Sequence, residues 1–391
     1  MVKLILAKWI KSIHGTLKNK LSFRYTFYRQ VLEAKPHPIQ PNTQDQQKVK
    51  LAFKQAKDEW LALSPEEKEK WKKKGYRFNL TGYQTYLKYR IKEILAVVFD
   101  YAITIDNSQN SNTLQDYQVL LQINNDPQFF ADVENPMYLE FYDEDETTLL
   151  KHYVEEWDNI NNNARIWIKI PLIPASSIKT IYLKINTSRT VDLSDPKSVF
   201  VDWYDDFEAY SLGNLVGQGN WMQDDDRTSC LVVDNPTYEG VRAVKCDADH
   251  RAAKHSLPLT TNFKLILRWR LDDRGYSTSS DARLSLKVNG TTIFEMGHRD
   301  NTKTTFYYRY AGTRYWTSKT INLEQWYTFK ITCDPNENLK WYVNNELLAS
   351  VDEHSIDEIA PYADEGCIMY MDQIMLAKYN YPEPSVSYSK L

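Results

Sequence analysis

The sequence predicts a mostly β, multidomain protein: a small helical bundle at the N-terminus, then a β-sandwich, then a second and larger β-sandwich. Three observations predict it. Over 391 residues the chain is 42% apolar, enough to fill cores. It holds 27 Tyr and 11 Trp but only 12 Gly, a balance that suits strands and departs from α/β enzymes, whose phosphate loops need glycine. The apolar period also changes near residue 97, from helical spacing to alternation.

Residues 1–96 read as helical. "DQQKVKLAFKQAKDEWLAL" carries Val49, Phe53, Ala56, Trp60 and Leu63 at spacings of three and four. Ser64, Pro65 and Glu67 then form a capping box that opens a second helix, which Gly75 can stop. Thr81 and Gln84 repeat the capping arrangement before Tyr83, Tyr86, Leu87 and Arg90. Between helical pieces, "KPHPIQP" breaks the period.

From 97 to 200, "AVVFDYAITIDN", "DYQVLLQIN", "MYLEFYD", "ARIWIKIPL" and "TIYLKIN" are short strand-like runs, and "TSRTVDLSDPKSVF" is a linker. From 201 to 381 a second set follows, including Lys264–Leu271, Ala282–Val288, Thr291–Met296, Thr305–Tyr310 and Cys367–Lys378. "VNGTTI" and "YVNNELLA" read as tight hairpins. Residues 382–391 read as an exposed tail.

Charge divides along the same line. Residues 1–93 hold 21 Lys and Arg against 8 Asp and Glu, a local +13, and the remainder holds 27 against 44, a local −17. Two surfaces of opposite sign imply two partners or environments. Lys72, Lys73, Lys74, Arg77, Lys88 and Arg90 are the candidate docking residues, for an acidic protein surface or for phosphates. Interleaved Glu66, Glu67 and Glu69 favour protein docking; nucleic acid is the alternative.

Four cysteines fall late in the chain. "CLVVDNPTYEGVRAVKC" is symmetric about Tyr238, which sets Cys230 opposite Cys246 across a hairpin, within disulfide reach. The alternative is two small buried thiols. C-x-x-C spacing is absent, which argues against zinc.

The chemistry of bond cleavage is not legible. No E-x-D-x-x-E run sets carboxylates on one strand face, no nucleophile elbow occurs, and the seven His lack H-x-x-x-H spacing. "EFYDEDET" and "DDD" at 224–226 read as solvated turns. "TTFYYRYAGTRYWTS" alternates aromatic and polar residues, putting Phe306, Tyr308 and Tyr310 on one face and Tyr307 and Arg309 on the other. Tyr308, Tyr310, Tyr315 and Trp316 are the candidate glycan-stacking residues, with core packing as the alternative for any one of them.

Three segments carry resemblances. Residues 97–200 resemble an uncharacterised β-sandwich family of archaeal and bacterial surface proteins, through "YAITIDN", "LQDYQVLLQI", "LEFYDEDETTLLKHYVEEWD", "ARIWIKIPLIPA" and "KTIYLKI". Residues 201–381 resemble a concanavalin-like lectin or laminin-G domain, through "DWYDDFEAYSLGNLVGQGNW", "YEGVRAVKC", "NLEQWYTFKIT", "WYVNNELL" and "MYMDQIMLA". Residues 46–93 resemble HMG-box-like segments of some phage and archaeal-virus structural proteins, through Trp60, "LSPEEKEKW" and "LTGYQTYL", with "GYQTYL" last rather than first. The second resemblance implies a jelly roll whose first and last strands are adjacent. It also implies a structural calcium where those strands meet, for which Asp206, Glu208 and Asp372 are the candidate ligands.

Together these imply a non-enzymatic attachment protein of a virus particle, at the virion or cell exterior after assembly in the cytoplasm. Its expected partners are other virion proteins or copies of itself, and host surface glycans. No run reaches the roughly 18 apolar residues of a membrane span, and "MVKLILAKWIKSIHG" lacks a secretion core. A carbohydrate-active enzyme or binding module is one alternative, and a DNA-binding architectural protein is another.

Overall fold

A computed structural model describes residues 16–17, 21–26, 29–34, 44–76, 80–94, 99–224, 228–247 and 251–391. The chain divides into two compact units, 1–97 and 98–391.

The earliest described residues of the first unit form strands, not helices. β1 (Thr16–Leu17), β2 (Leu21–Thr26) and β3 (Arg29–Ala34) form an antiparallel sheet in that order. The helical reading of residues 1–96 is corrected there: "LSFRYT" alternates polar and β-favouring residues, a period of two. Three helices follow, α1 (Gln44–Ala62), α2 (Pro65–Tyr76) and α3 (Gly82–Ile94). Both capping boxes form. The Ser64 N–H donates to Glu67 at 2.9 Å and the Glu67 N–H returns to the Ser64 hydroxyl at 3.2 Å. Thr81 and Gln84 do the same at 2.9 and 3.1 Å. Tyr86 pins the bundle, its ring 5.4 Å from Trp60 and 5.3 Å from Trp71. Gly75 lets α2 approach α3: a Cβ there would sit 2.4 Å from the Thr85 hydroxyl.

The second unit holds both sandwiches. In chain order the first has β4 (Tyr101–Asp106), β5 (Leu114–Ile123), α4 (Pro127–Asp132), β6 (Leu139–Tyr142), β7 (Lys151–Asp158), β8 (Asn163–Ile173) and β9 (Ile178–Ile185), then α5 (Pro196–Val199). The larger one begins with the short strands β10 (Trp203–Asp205), β11 (Gly213–Asn214), β12 (Trp221–Met222), β13 (Thr228–Ser229), β14 (Leu231–Val233), β15 (Ala243–Cys246) and β16 (Arg251–Ala252). It continues with β17 (Lys254–Thr260), β18 (Phe263–Arg274), β19 (Asp281–Val288), β20 (Thr291–Arg299), β21 (Thr305–Tyr310) and β22 (Thr313–Thr320). It ends with β23 (Trp326–Asp334), β24 (Glu337–Val343), β25 (Glu346–Val351), β26 (Ile356–Asp364) and β27 (Cys367–Lys378), and β28 (Ser385–Lys390) closes the chain.

The larger sandwich stacks β11-β14-β15-β27-β18-β23-β24-β25 on β12-β17-β26-β19-β20-β21-β22. Its first strand, β10, pairs with its last, β27, Trp203 opposite Leu376. The turns at Asn289-Gly290, Ala311-Gly312 and Asn344-Asn345 each put two successive residues at positive φ, the backbone that a two-residue hairpin needs. β26 is absent from the sequence reading because Pro361 sits in the middle of a central strand, where a missing N–H argues against one.

The first sandwich stacks β28-β4-β9-β6 on β5-β8-β7. Its edge strand β28 comes from the other end of the unit. The exposed-tail reading of 382–391 is therefore corrected: Ser385 to Lys390 pair with Asp106 to Tyr101, Val386 and Tyr388 pack on the core, and the Tyr388 hydroxyl donates to Asp126 at 2.6 Å. The end of the linker is buried as well. Val199 and Phe200 are buried with Tyr153, Trp167, Ile266, Met375 and Ala377 in a small core between the sandwiches.

That seam also holds a buried ion pair. Glu155 accepts from Arg268, from Trp167 Nε1 at 2.7 Å and from Arg165 Nε at 3.1 Å. Arg268 Nε donates to Gln373 at 2.9 Å, and Gln373 donates to the Tyr153 hydroxyl at 2.8 Å. Cys230 and Cys246 are joined by a disulfide beside the β14–β15 pair, Cα atoms 4.6 Å apart. Cys333 and Cys367 are buried and not disulfide-bonded. Among the described residues no helix is long and apolar enough to cross a membrane.

Candidate functional site

Strand alternation builds the site. Ala282, Leu284 and Leu286 of β19, Phe294 and Met296 of β20, and Phe306 of β21 point into the core. Their neighbours Asp281, Arg283, Glu295, Arg299, Tyr307 and Arg309 therefore project from the other side of the same sheet. Their tips interlock, so Asp281, only 1% exposed, is buried although its face is polar.

Asp281 accepts from Arg283, from Arg299 and from the Tyr307 hydroxyl at 3.1 Å. Burial pushes its carboxyl up, and the guanidiniums of Arg283 and Arg299 pull it down. Arg283 lies directly across from Tyr362 on β26, its guanidinium 4.1 Å above the ring. Glu295 bridges Arg283 at 3.4 Å and Arg309 at 3.5 Å. Farther along, Lys287 reaches Asp224 at 2.7 Å and Glu358 at 3.0 Å. Both acids and bases on this face are fixed before any ligand arrives, which is the preorganisation that polar recognition needs.

Trp316 stands at the rim of this face. It lies opposite Tyr307, the rings 5.7 Å apart, and is 41% exposed. Beside the Glu295–Arg309 pair lies a hollow of about 190 Å³, floored by Thr292 and Ile293 and closed by the Ala311-Gly312 turn. An exposed indole next to charge-assisted donors and acceptors can stack on a sugar ring and bind its hydroxyls.

The four aromatic candidates do not share this face, which corrects their grouping. Tyr308, Tyr310 and Tyr315 lie on the core side of β21–β22, at its open edge. Tyr308 stacks on Tyr315 at 4.9 Å and on Phe294 at 5.8 Å, and the Tyr310 hydroxyl donates to the Asp352 carbonyl at 3.2 Å. The pleat separates Tyr315 from Trp316 because they are adjacent in sequence. The charged network on the other face is the part that sequence reasoning missed. Its signal is there in "DARLSLKV" and "TTIFEMGHR", where Asp281, Arg283 and Lys287, and Glu295 and Arg299, fall on alternate positions of strong strands.

Asp206, Glu208 and Asp372 do come together, with Glu239, in a cavity of about 400 Å³ between the sandwiches. Each of the three also accepts backbone N–H groups. Asp372 accepts the N–H groups of Tyr238 at 2.9 Å and Gln373 at 2.7 Å, Glu208 those of Val241 and Arg242 at 2.7 and 2.9 Å, and Asp206 that of Glu208 at 3.2 Å. Among the described residues no three His, Cys, Asp or Glu are grouped to hold a metal. Burial pushes the Asp372 carboxyl up to about 7.

The cationic candidates of the helical unit also divide. Arg90 grips Glu59 at 2.6 and 3.1 Å, tying α3 to α1, and chiefly this contact lowers Glu59 to about 2. Lys74 lies 3.7 Å over the Tyr89 ring and 4.6 Å over Trp71. Both residues thus make contacts within the bundle. Lys72 pairs loosely with Glu69 at 3.4 Å, Lys73 and Lys88 are exposed, and Arg77 lies outside the described residues.

A family model described as a domain of unknown function, DUF2341, matches residues 135–224. That span runs from β6 through the seam linker into the start of the larger sandwich, and overlaps the segment resembling a β-sandwich surface-protein family. No curated protein matches the chain. Among solved structures, the chain is similar to the cellulose induced protein Cip1 at 13% identity and a TM-score of 0.36, over 45% of this chain and 96% of that one. It is similar to the T. cruzi calreticulin globular domain at 9% identity and 0.32, over 44% and 88%. A third is the botulinum neurotoxin type G receptor binding domain, at 13% and 0.29, over 44% and 48%.

Proposed function

We propose that this chain is a non-enzymatic attachment protein, carried at the exterior of a virus particle, that grips a surface glycan with the outward face of its larger sandwich. The observation that carries the reading is the placement of exposed Trp316 on one face with the Glu295–Arg309 pair and its hollow. Stacking plus fixed polar partners suits a saccharide. Asp281 and Glu295 are engaged by guanidinium groups, and Asp224 and Glu358 by the Lys287 ammonium, which supports a role for these carboxylates in binding.

The basic first unit is the anchor in this reading, and its local charge of +13 against −17 elsewhere supports docking on an acidic surface. Glycan-array binding by the full chain, compared with Trp316→Ala and Arg309→Ala, tests the glycan half. Equal retention by all three rejects it. Mass spectrometry of purified particles tests the anchor half, which fails if the chain is absent. A gel shift with duplex DNA that weakens steeply with salt would instead favour nucleic acid as what the anchor holds.

A further inference from the structure

A second cavity, of about 420 Å³, opens at the other side of the seam between the sandwiches. Its walls come from β5 and β8 of the first sandwich, β18 and β23 of the second, and the segment leading into β28. Three cations face it: Arg165, Lys264 and Lys330. One carboxylate faces them, Glu383, and it is engaged by Lys264 and by the Tyr117 hydroxyl at 3.3 Å. Arg165 has Glu155 behind it, but Glu155 also serves Arg268.

Lys330 is the residue left over. Its ammonium donates to the Asn345 side chain at 3.2 Å and lies 4.5 Å over the Tyr342 ring, and among the described residues no carboxylate forms an ion pair with it. Burial and the neighbouring charges of Lys264 and Arg165 push its pKa down, and Glu383 offsets them only in part. A half-buried ammonium beside two like charges costs stability unless an anion joins them. Gln122 and Asn345 add amides that suit hydroxyl groups. The volume falls in the range of roughly 300–1,000 Å³ typical of small-ligand sites, which favour such seams.

We propose that this seam cavity binds an acidic sugar residue, a monosaccharide unit bearing a carboxylate, with Lys330, Lys264 and Arg165 holding the carboxylate. The site is separate from the outward face of the larger sandwich, so either can fail alone. Calorimetric titration of the full chain with D-glucuronate, D-glucose and sodium sulfate tests it. Glucuronate is expected to bind at least about tenfold more tightly than glucose, the scale of one charge-assisted contact. Lys330→Gln should abolish that preference and Trp316→Ala should leave it intact. Equal affinity for glucose overturns the proposal, as does a preference that survives Lys330→Gln. Sulfate binding as tightly as glucuronate reduces the cavity to an anion hole and overturns the sugar assignment. Should Lys330→Gln fail to fold, dimethyl-labelled lysine NMR on the wild type decides: the Lys330 pKa rises on adding glucuronate, and no rise overturns the proposal.

Discussion

The two sheets of the larger sandwich each turn an outward face lined with arginine and carboxylate, and the two faces have opposite fates. On the β18–β27 sheet, Arg268 meets Glu155 of the first sandwich under a cover of Phe200, Met375 and Trp167. On the β19–β21 sheet, Arg283, Arg299 and Arg309 meet carboxylates of their own face, and Trp316 remains open. The chemistry is the same; what packs on top differs. Covered, the charges fix how two sandwiches dock. Uncovered, they offer a rigid array of donors and acceptors.

The sharpest way to break this comparison is to remove one covered charge. Arg268→Ala leaves the Glu155 carboxylate buried without its main partner and should cost about 4 kcal/mol in denaturant unfolding. A loss below about 1 kcal/mol would make the covered face equivalent to the open one. Truncating residues 385–391 comes next. It strips β28 from the first sandwich and uncovers the packing of Val386 and Tyr388, an expected loss of about 3 kcal/mol. Loss of the larger sandwich in the same melting transition would show that the seam makes the unit cooperative.

A pH-dependent effect belongs to Asp372 at the seam. Its raised pKa means the folded protein binds the proton more tightly than the unfolded chain. The stability this lends is full below the usual carboxylate value of 3.8 and is gone above about 7. Stability should therefore fall by about 1 kcal/mol per pH unit across that window. Asp372→Asn should flatten the slope. On the open face, Trp316→Ala should change stability by less than about 0.5 kcal/mol while reducing glycan retention about tenfold. The smallest expected effect is that of calcium: with Asp206, Glu208 and Asp372 turned to backbone amides, adding calcium or EDTA should leave Tm unchanged.

Much of this was legible in the chain. Val49 to Leu63, Ser64 with Glu67, and Thr81 with Gln84 define helices through contacts three or four residues apart. The Asn289-Gly290 turn and the alternation around Leu284 and Phe294 define hairpins equally locally. Among the strands that resisted reading, two did so for identifiable reasons. β26 carries Pro361, and β28 is a short polar run whose only apolar members, Val386 and Tyr388, have no local partner.

What the sequence determined by itself is which residues share a face, because the pleat and the helical turn are local and periodic. It determined the capping, the hairpin turns and the separation of a basic segment from an acidic remainder. Only the tertiary structure decided which face is covered, that the last strand returns to close the first sandwich, and that Lys330 faces the seam cavity beside Lys264 and Arg165. Those outcomes depend on contacts between residues more than a hundred positions apart, as with Arg268 and Glu155, and no local period records such a pairing.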